Sequence, residues 1–275
     1  MKIRKQYAVY DRVKVFVILA GVLLFVIGLF LYTLTHNVRN KSSTMETFLT
    51  TAMKPIGNTM YIWGGGWADE DGVYGATSTR IGVSPAWEVY ADKQDATYDF
   101  EQHRWERENG LDCSGYVAWV LYNTFETEND QPGYVMTSTT MAPTYASWRF
   151  GKEIVHPDTF FPGDIVSMEG HVWISLGTCA DGSVLFVHSS PPGVRLCGTE
   201  VPGVKSIAIR LAEEYMLEYY PDWHERYPDC AKPSSYLENV TLMRWNEYTL
   251  KGAKEFQKLS GEEMMEYLRA EVSRN

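Results

Sequence analysis

Cysteine is scarce in this sequence, and what there is does not cluster. Cys113, Cys179, Cys197 and Cys230 include no C-x-x-C pair, so a thiolate zinc site is not expected. The glycine run Gly64-Gly65-Gly66 has no Gly-Lys-Ser/Thr after it, which removes a phosphate-cradling loop. Three adjacent glycines instead let a backbone turn sharply or come close to a neighbour. Basic charge is short as well. Beyond residue 34, 20 Lys and Arg stand against 34 Asp and Glu, a formal charge of −14. That argues against nucleic acid as a partner, because neutralising phosphates takes concentrated Lys and Arg. Internal repeats are also absent.

One long apolar run is present. Val15 to Leu34 carries no charge over 20 residues, enough to span a hydrocarbon core. Lys2, Arg4, Lys5, Arg12 and Lys14 precede it, against Asp11 alone. This imbalance predicts a cytoplasmic tail over 1–14, a transmembrane signal anchor over 15–34 and a linker over 35–44, with the remainder outside. A cleaved signal peptide needs a small-x-small site after the run, and none follows. The 275 residues leave ample length for a core.

Further on, Thr44 caps an expected helix through Phe48, Leu49 and Met53 that stops near Pro55 and Gly57. Residues 67–110 are rich in Asp, Glu, Gly and Trp without a clear period, and read as a surface insertion shaping a cleft. In Leu111-Asp112-Cys113-Ser114-Gly115-Tyr116-Val117, Asp112 is placed to cap a helix whose buried face holds Val117, Val120 and Leu121. Cys113 then sits at the helix N-terminus, where free N–H groups and the dipole favour a thiolate. That suits a nucleophile. A small cysteine packing a helix start fits the same stretch, and the choice turns on whether the chain supplies a base.

After the turn at Phe160 to Asp164, short apolar runs read as an antiparallel meander: Ile165 to Ser167, His171 to Gly177, Ser183 to His188 and Gly193 to Leu196. Val240 to Trp245 reads as a last strand. A turn centred between Cys179 and Ala180 sets His171 opposite His188, with Cβ atoms about 5 Å apart. A slip of one position leaves them diagonal on the same face. His171 is then the general base and His188 the group that orients it. His36, His103, His156 and His224 are expected at the surface. The same strand layout makes Cys179 and Cys197 a plausible disulfide in an exported domain and leaves Cys230 unassigned. Ala212 to Tyr220 reads as a helix, and Asp222, His224 and Glu225 as a solvated turn rather than a metal site. Ser260-Gly261-Glu262-Glu263 is a capping box opening a helix that buries Met264, Met265 and Leu268.

Together, Asp112-Cys113-Ser114-Gly115-Tyr116-Val117, Pro162-Gly163-Asp164-Ile165-Val166, His171-Val172-Trp173-Ile174-Ser175-Leu176-Gly177 and Val187-His188-Ser189 resemble the NlpC-type cell-wall cysteine peptidases. Tyr61-Ile62-Trp63-Gly64-Gly65 is similar to that family's Tyr-x-x-Gly-Gly motif. The resemblance covers roughly residues 45–247, with insertions near 67–110 and 206–236, and leaves 248–275 as a C-terminal helical extension. It implies a papain-like α+β fold whose nucleophile helix packs on an antiparallel sheet. It also implies hydrolysis of peptidoglycan stem peptides, typically between the side-chain carboxyl of D-glutamate and a diamino acid, without metal or organic cofactor.

Residue by residue, Cys113 matches the nucleophile, His171 the base and His188 the third catalytic position. Tyr61, Asp112 and Ser114 match positions lining the family's site, where Asp and Ser help hold the substrate's free amine. The Cys113 N–H matches part of the oxyanion hole. Trp173 departs from the pattern: it stands where the family has a glycine, on the face of His171, and is expected to narrow the cleft. The implied partners are peptidoglycan or muropeptides, the membrane through Val15 to Leu34, and cell-envelope machinery; no second wall-binding module is visible. Two other readings stay open, a related thiol amidase or endopeptidase cutting another wall bond, and a catalytically silent, membrane-tethered scaffold.

Overall fold

The computed structural model describes residues 43–68, 77–127 and 133–274. The expected anchor over Val15 to Leu34 lies outside the described residues; within them, no helix is long and apolar enough to cross a membrane. Among the described residues, seven strands form one sheet: β1 (Gly151–Val155), β2 (Ile165–Met168), β3 (His171–Thr178), β4 (Val184–Ser190), β5 (Gly193–Thr199), β6 (Ala231–Lys232) and β7 (Thr241–Trp245). Their order is β1-β7-β2-β3-β4-β5-β6, and every pairing is antiparallel except β5 with β6. The fold is α+β with a mainly antiparallel sheet.

Alternation along the strands sorts side chains onto two faces. Ile165, Val172, Ile174, Leu185, Val187, Val194, Leu196 and Met243 join the larger buried cluster. Helices α1 (Met45–Met53), α2 (Pro85–Ala91), α3 (Cys113–Thr124), α4 (Ser138–Ser147) and α5 (Ile207–Tyr219) contribute to it as well. Val166, Trp173, Val184, Phe186, Cys197 and Leu242 point the other way into a smaller cluster, covered by Phe160, Tyr236 and Leu237. Helix α3 packs across β3 and β4.

Several elements depart from the sequence expectation. All twelve residues of α3 are buried, not one face. A helix without a polar side belongs inside a core, and here α1, the sheet and Trp87 of the described part of the 67–110 segment pack against it. That segment is not purely superficial: Ser84 and Pro85 open α2, which buries Trp87 edge-on against Trp119 at 5.8 Å between ring centroids. The 248–275 segment belongs to the same compact unit, Ser43–Asn275. Its helices are α7 (Ala253–Phe256) and α8 (Gly261–Val272); the Ser260–Glu263 capping box forms, and Met264, Met265 and Leu268 enter the main cluster. Between β5 and β7, α5 starts at Ile207 on a Ser206 cap, and α6 (Pro221–Arg226) carries Asp222, His224 and Glu225.

The β3–β4 register also differs. Ile174 pairs with Val187 and Ser175 with Phe186, and a bulge lies between Ser175 and Gly177. Continued to the strand ends, this sets His188 across from Trp173 and leaves His171 on the diagonal. The two histidines share a face without being directly opposed.

Candidate active site

The nucleophile position is built by two segments pressed together. Asp112 caps α3: its Oδ1 accepts the Gly115 N–H at 2.7 Å and the Ser114 hydroxyl at 2.8 Å. Its Oδ2 accepts the Gly64 N–H at 3.2 Å, and the Asp112 N–H donates to the Gly65 carbonyl at 3.0 Å. The glycine run thus lies flat on the start of the helix. A Cβ on Gly66 would run into the Gly115 backbone, so the close approach requires glycine there. Tyr61 is buried beside this loop; its carbonyl accepts the Tyr98 hydroxyl at 2.7 Å and its ring meets Phe100 edge-on. Cys113 is 7% exposed and carries a free thiol.

The histidines stand on β3 and β4, the strands on which α3 packs. His171 opens β3, half-buried, and His188 lies near the end of β4, fully buried. His171 Nε2 and His188 Nδ1 are 2.9 Å apart, with the rings edge-on at 80°. The Val172 N–H, next in the chain after His171, favours the charged form of the Cys113 sulfur. Ser189, next after His188, donates from its hydroxyl to the Leu111 carbonyl at 2.6 Å. That contact ties the end of β4 to the head of α3.

Burial dominates the electrostatics. It pushes the Cys113 thiol up to about 12, with the Asp112 charge adding to the rise and N–H donors from Val172 and Ser114 opposing it. Burial also pulls His171 down to about 3, and His188 well below the ordinary imidazole range. At neutral pH burial thus favours a neutral thiol at Cys113 and neutral imidazoles at His171 and His188. Against the half-charge of the helix dipole, which favours a thiolate, stand desolvation and a neighbouring carboxylate, which favour the thiol. Asp112 itself is raised to about 6 by burial against its three hydrogen-bond donors.

Trp173 is a correction. It is 0% exposed, its ring 4.8 Å from Phe186 and 5.6 Å from Phe160, and it supports the sheet rather than lining a cleft. The second is the disulfide: Cys179 and Cys197 are both free, as is Cys230. Cys197 instead places its sulfur 3.4 Å from His188 Nε2.

Two residues were not anticipated. Tyr236, from the 206–236 segment, sets its ring 5.6 Å from His171 and 6.3 Å from His188. Trp67 donates its indole N–H to the Ser114 hydroxyl at 3.0 Å. Neither carries a sequence signal, because only folding brings residues so far apart in the chain together. Comparison with family models, curated proteins and solved structures finds no match.

Proposed function

We propose that this chain is a thiol peptidase with a papain-like arrangement, acting outside the membrane on peptidoglycan stem peptides. The observation that carries the reading is the bonded His171–His188 pair, tied to the head of α3 by the Ser189 hydroxyl on the Leu111 carbonyl. With Nε2 of His171 engaged by His188, its Nδ1 is left to take the thiol proton. The Cys113 sulfur then attacks the amide carbonyl carbon. The leaving amine takes the proton from His171, and water hydrolyses the thioester to free the carboxylate and the thiol. The substrate class rests on the motif resemblance, with the γ-D-glutamyl–diamino acid bond as the expected target. Gly64, Ser114 and Gly115 already occupy the Asp112 carboxylate, so binding a substrate amine there requires exchange of one of these bonds.

Defined muropeptides incubated with the full-length chain and with Cys113→Ala, read by mass spectrometry, test this. Cleavage at that bond by the wild type alone is expected. Loss of a different bond points to the related wall amidase or endopeptidase. The neutral, 7% exposed Cys113 favours a second reading, a silent membrane-tethered scaffold. No product, together with a Cys113 inert to iodoacetamide at neutral pH, selects it.

A further inference from the structure

The smaller cluster holds a chain of contacts that starts at the proposed base and ends at a sulfur. His171 Nε2 meets His188 Nδ1 at 2.9 Å, and His188 Nε2 meets Cys197 Sγ at 3.4 Å. His188 and Cys197 are both 0% exposed, so no water competes for these bonds. β4 and β5 place them side by side: Phe186 pairs with Cys197 and His188 with Arg195.

A neutral imidazole has one N–H and one lone pair, so the state of one ring dictates that of the next. For His171 to accept a proton at Nδ1, its own proton must sit on Nε2 and be donated to His188 Nδ1. His188 then carries its proton on Nε2, pointing at Cys197. We propose that Cys197 is a positioning residue: its sulfur accepts the His188 Nε2–H and so fixes the tautomer of both histidines. Arg195, 3% exposed, pairs with His188 and lies two residues from Cys197 on β5; its guanidinium is donor-only and positively charged, which favours the sulfur as an acceptor. Without that acceptor the buried His188 N–H is stranded. The chain then reverses: His188 donates from Nδ1, and the proton of His171 moves to Nδ1, facing the thiol it should deprotonate.

This role rests on the Cys–His reading above, and the test separates the two. In the full-length chain, Cys197→Val fills the site with an apolar side chain suited to a strand but offers no lone pair; Cys197→Ser keeps one. The expected result is a kcat lower by about tenfold for Cys197→Val, the scale of one stranded buried donor. KM stays within about twofold, the pH profile moves, and Cys197→Ser recovers much of the rate. Histidine 15N shifts of the wild type, which distinguish Nε2–H from Nδ1–H, should place the His188 proton on Nε2. An unchanged kcat and pH profile in Cys197→Val overturns the role, as does a proton on His188 Nδ1. The 15N result decides alone if Cys197→Val does not fold. His171→Ala is the control: if it is inactive while Cys197→Val keeps the wild-type kcat and pH profile, only the Cys197 role falls. If His171→Ala changes neither hydrolysis nor Cys113 alkylation, the Cys–His reading falls and the role of Cys197 with it.

Discussion

The two faces of the sheet are buried to a similar depth and made of different chemistry. Toward the helices, Ile165, Ile174, Leu185, Val187 and Leu196 build an aliphatic interior. On the other face Trp173 and Phe186 pack beside His188, Arg195 and Cys197, and the lid is a loop and a short 3-10 turn rather than a helix. The first face needs only volume and apolar area, and it tolerates swaps that preserve both. The second holds polar groups whose partners matter, because an unpartnered buried group costs about 1–3 kcal/mol. Trp173 Nε1 and Arg195 Nε bear that cost, while the His188 nitrogens are both engaged. Reactive groups can be held there only where their hydrogen bonds are specified, and the His171–His188–Cys197 series is such a specification.

The sharpest way to break this contrast is to remove function from one face and only stability from the other. His171→Ala should lower peptide hydrolysis by about 100- to 10,000-fold, the range for loss of a general base, at a stability cost of about 1–3 kcal/mol for the buried His188 nitrogen it strands. Leu185→Ala should destabilise by about 2–5 kcal/mol and leave kcat alone, as read by denaturant unfolding and steady-state kinetics. Equal loss of kcat in both variants would erase the distinction. Next in size is Arg244→Leu. Arg244 binds Asp164 with Nη2 at 2.7 Å, and Asp164 is 0% exposed in the turn that starts β2. Breaking a buried pair from one side should destabilise by about 3–5 kcal/mol, and a loss below 1 kcal/mol would mean the carboxylate finds another partner.

A smaller effect concerns reactivity. With Cys113 pushed up to about 12 and His171 pulled down to about 3, burial opposes an ion pair between them at neutral pH. The alkylation rate of Cys113 should therefore climb steadily with pH through 9. A plateau near neutrality would mean a preformed thiolate–imidazolium pair and a more open site.

How much of this was legible beforehand follows the range of the interactions. The Asp112 cap, the Ser260–Glu263 capping box and the strands around His171 and His188 are local signals, and all formed. Ser84-Pro85 was an equally local start signal inside the 67–110 segment, hidden by the polar residues around it. The meeting of the two histidines survived an error in register, because diagonal neighbours share a face. The disulfide expectation failed: Cys197 faces His188 in the smaller cluster, whereas Cys179 packs in the larger one beside Gly261. Trp173 failed for a related reason, since alternation gives the face and not its depth. Tyr236 and Trp67 depend on tertiary folding alone.

The smallest effect separates the faces by pH. Folded His171 stays neutral down to about 3, whereas the unfolded imidazole takes a proton near 6.5. The unfolded chain thus binds more protons in that window. The contribution of His171 is complete above pH 6.5 and is lost as pH falls toward 3. Asp112 and Asp164 act in the opposite sense: raised to about 6 from 3.8, they weaken the fold at neutral pH and stop doing so as pH falls from 6 to 3.8. The two trends partly cancel in the wild type, so a single pH titration conceals both. His171→Gln exposes them, because glutamine takes no proton. Its stability relative to the wild type should rise below pH 6.5, by at most about 1.4 kcal/mol per pH unit. Parallel unfolding curves for the two proteins from pH 7 to 4 would mean that His171 titrates as it does in water, and that the second face is open rather than sealed.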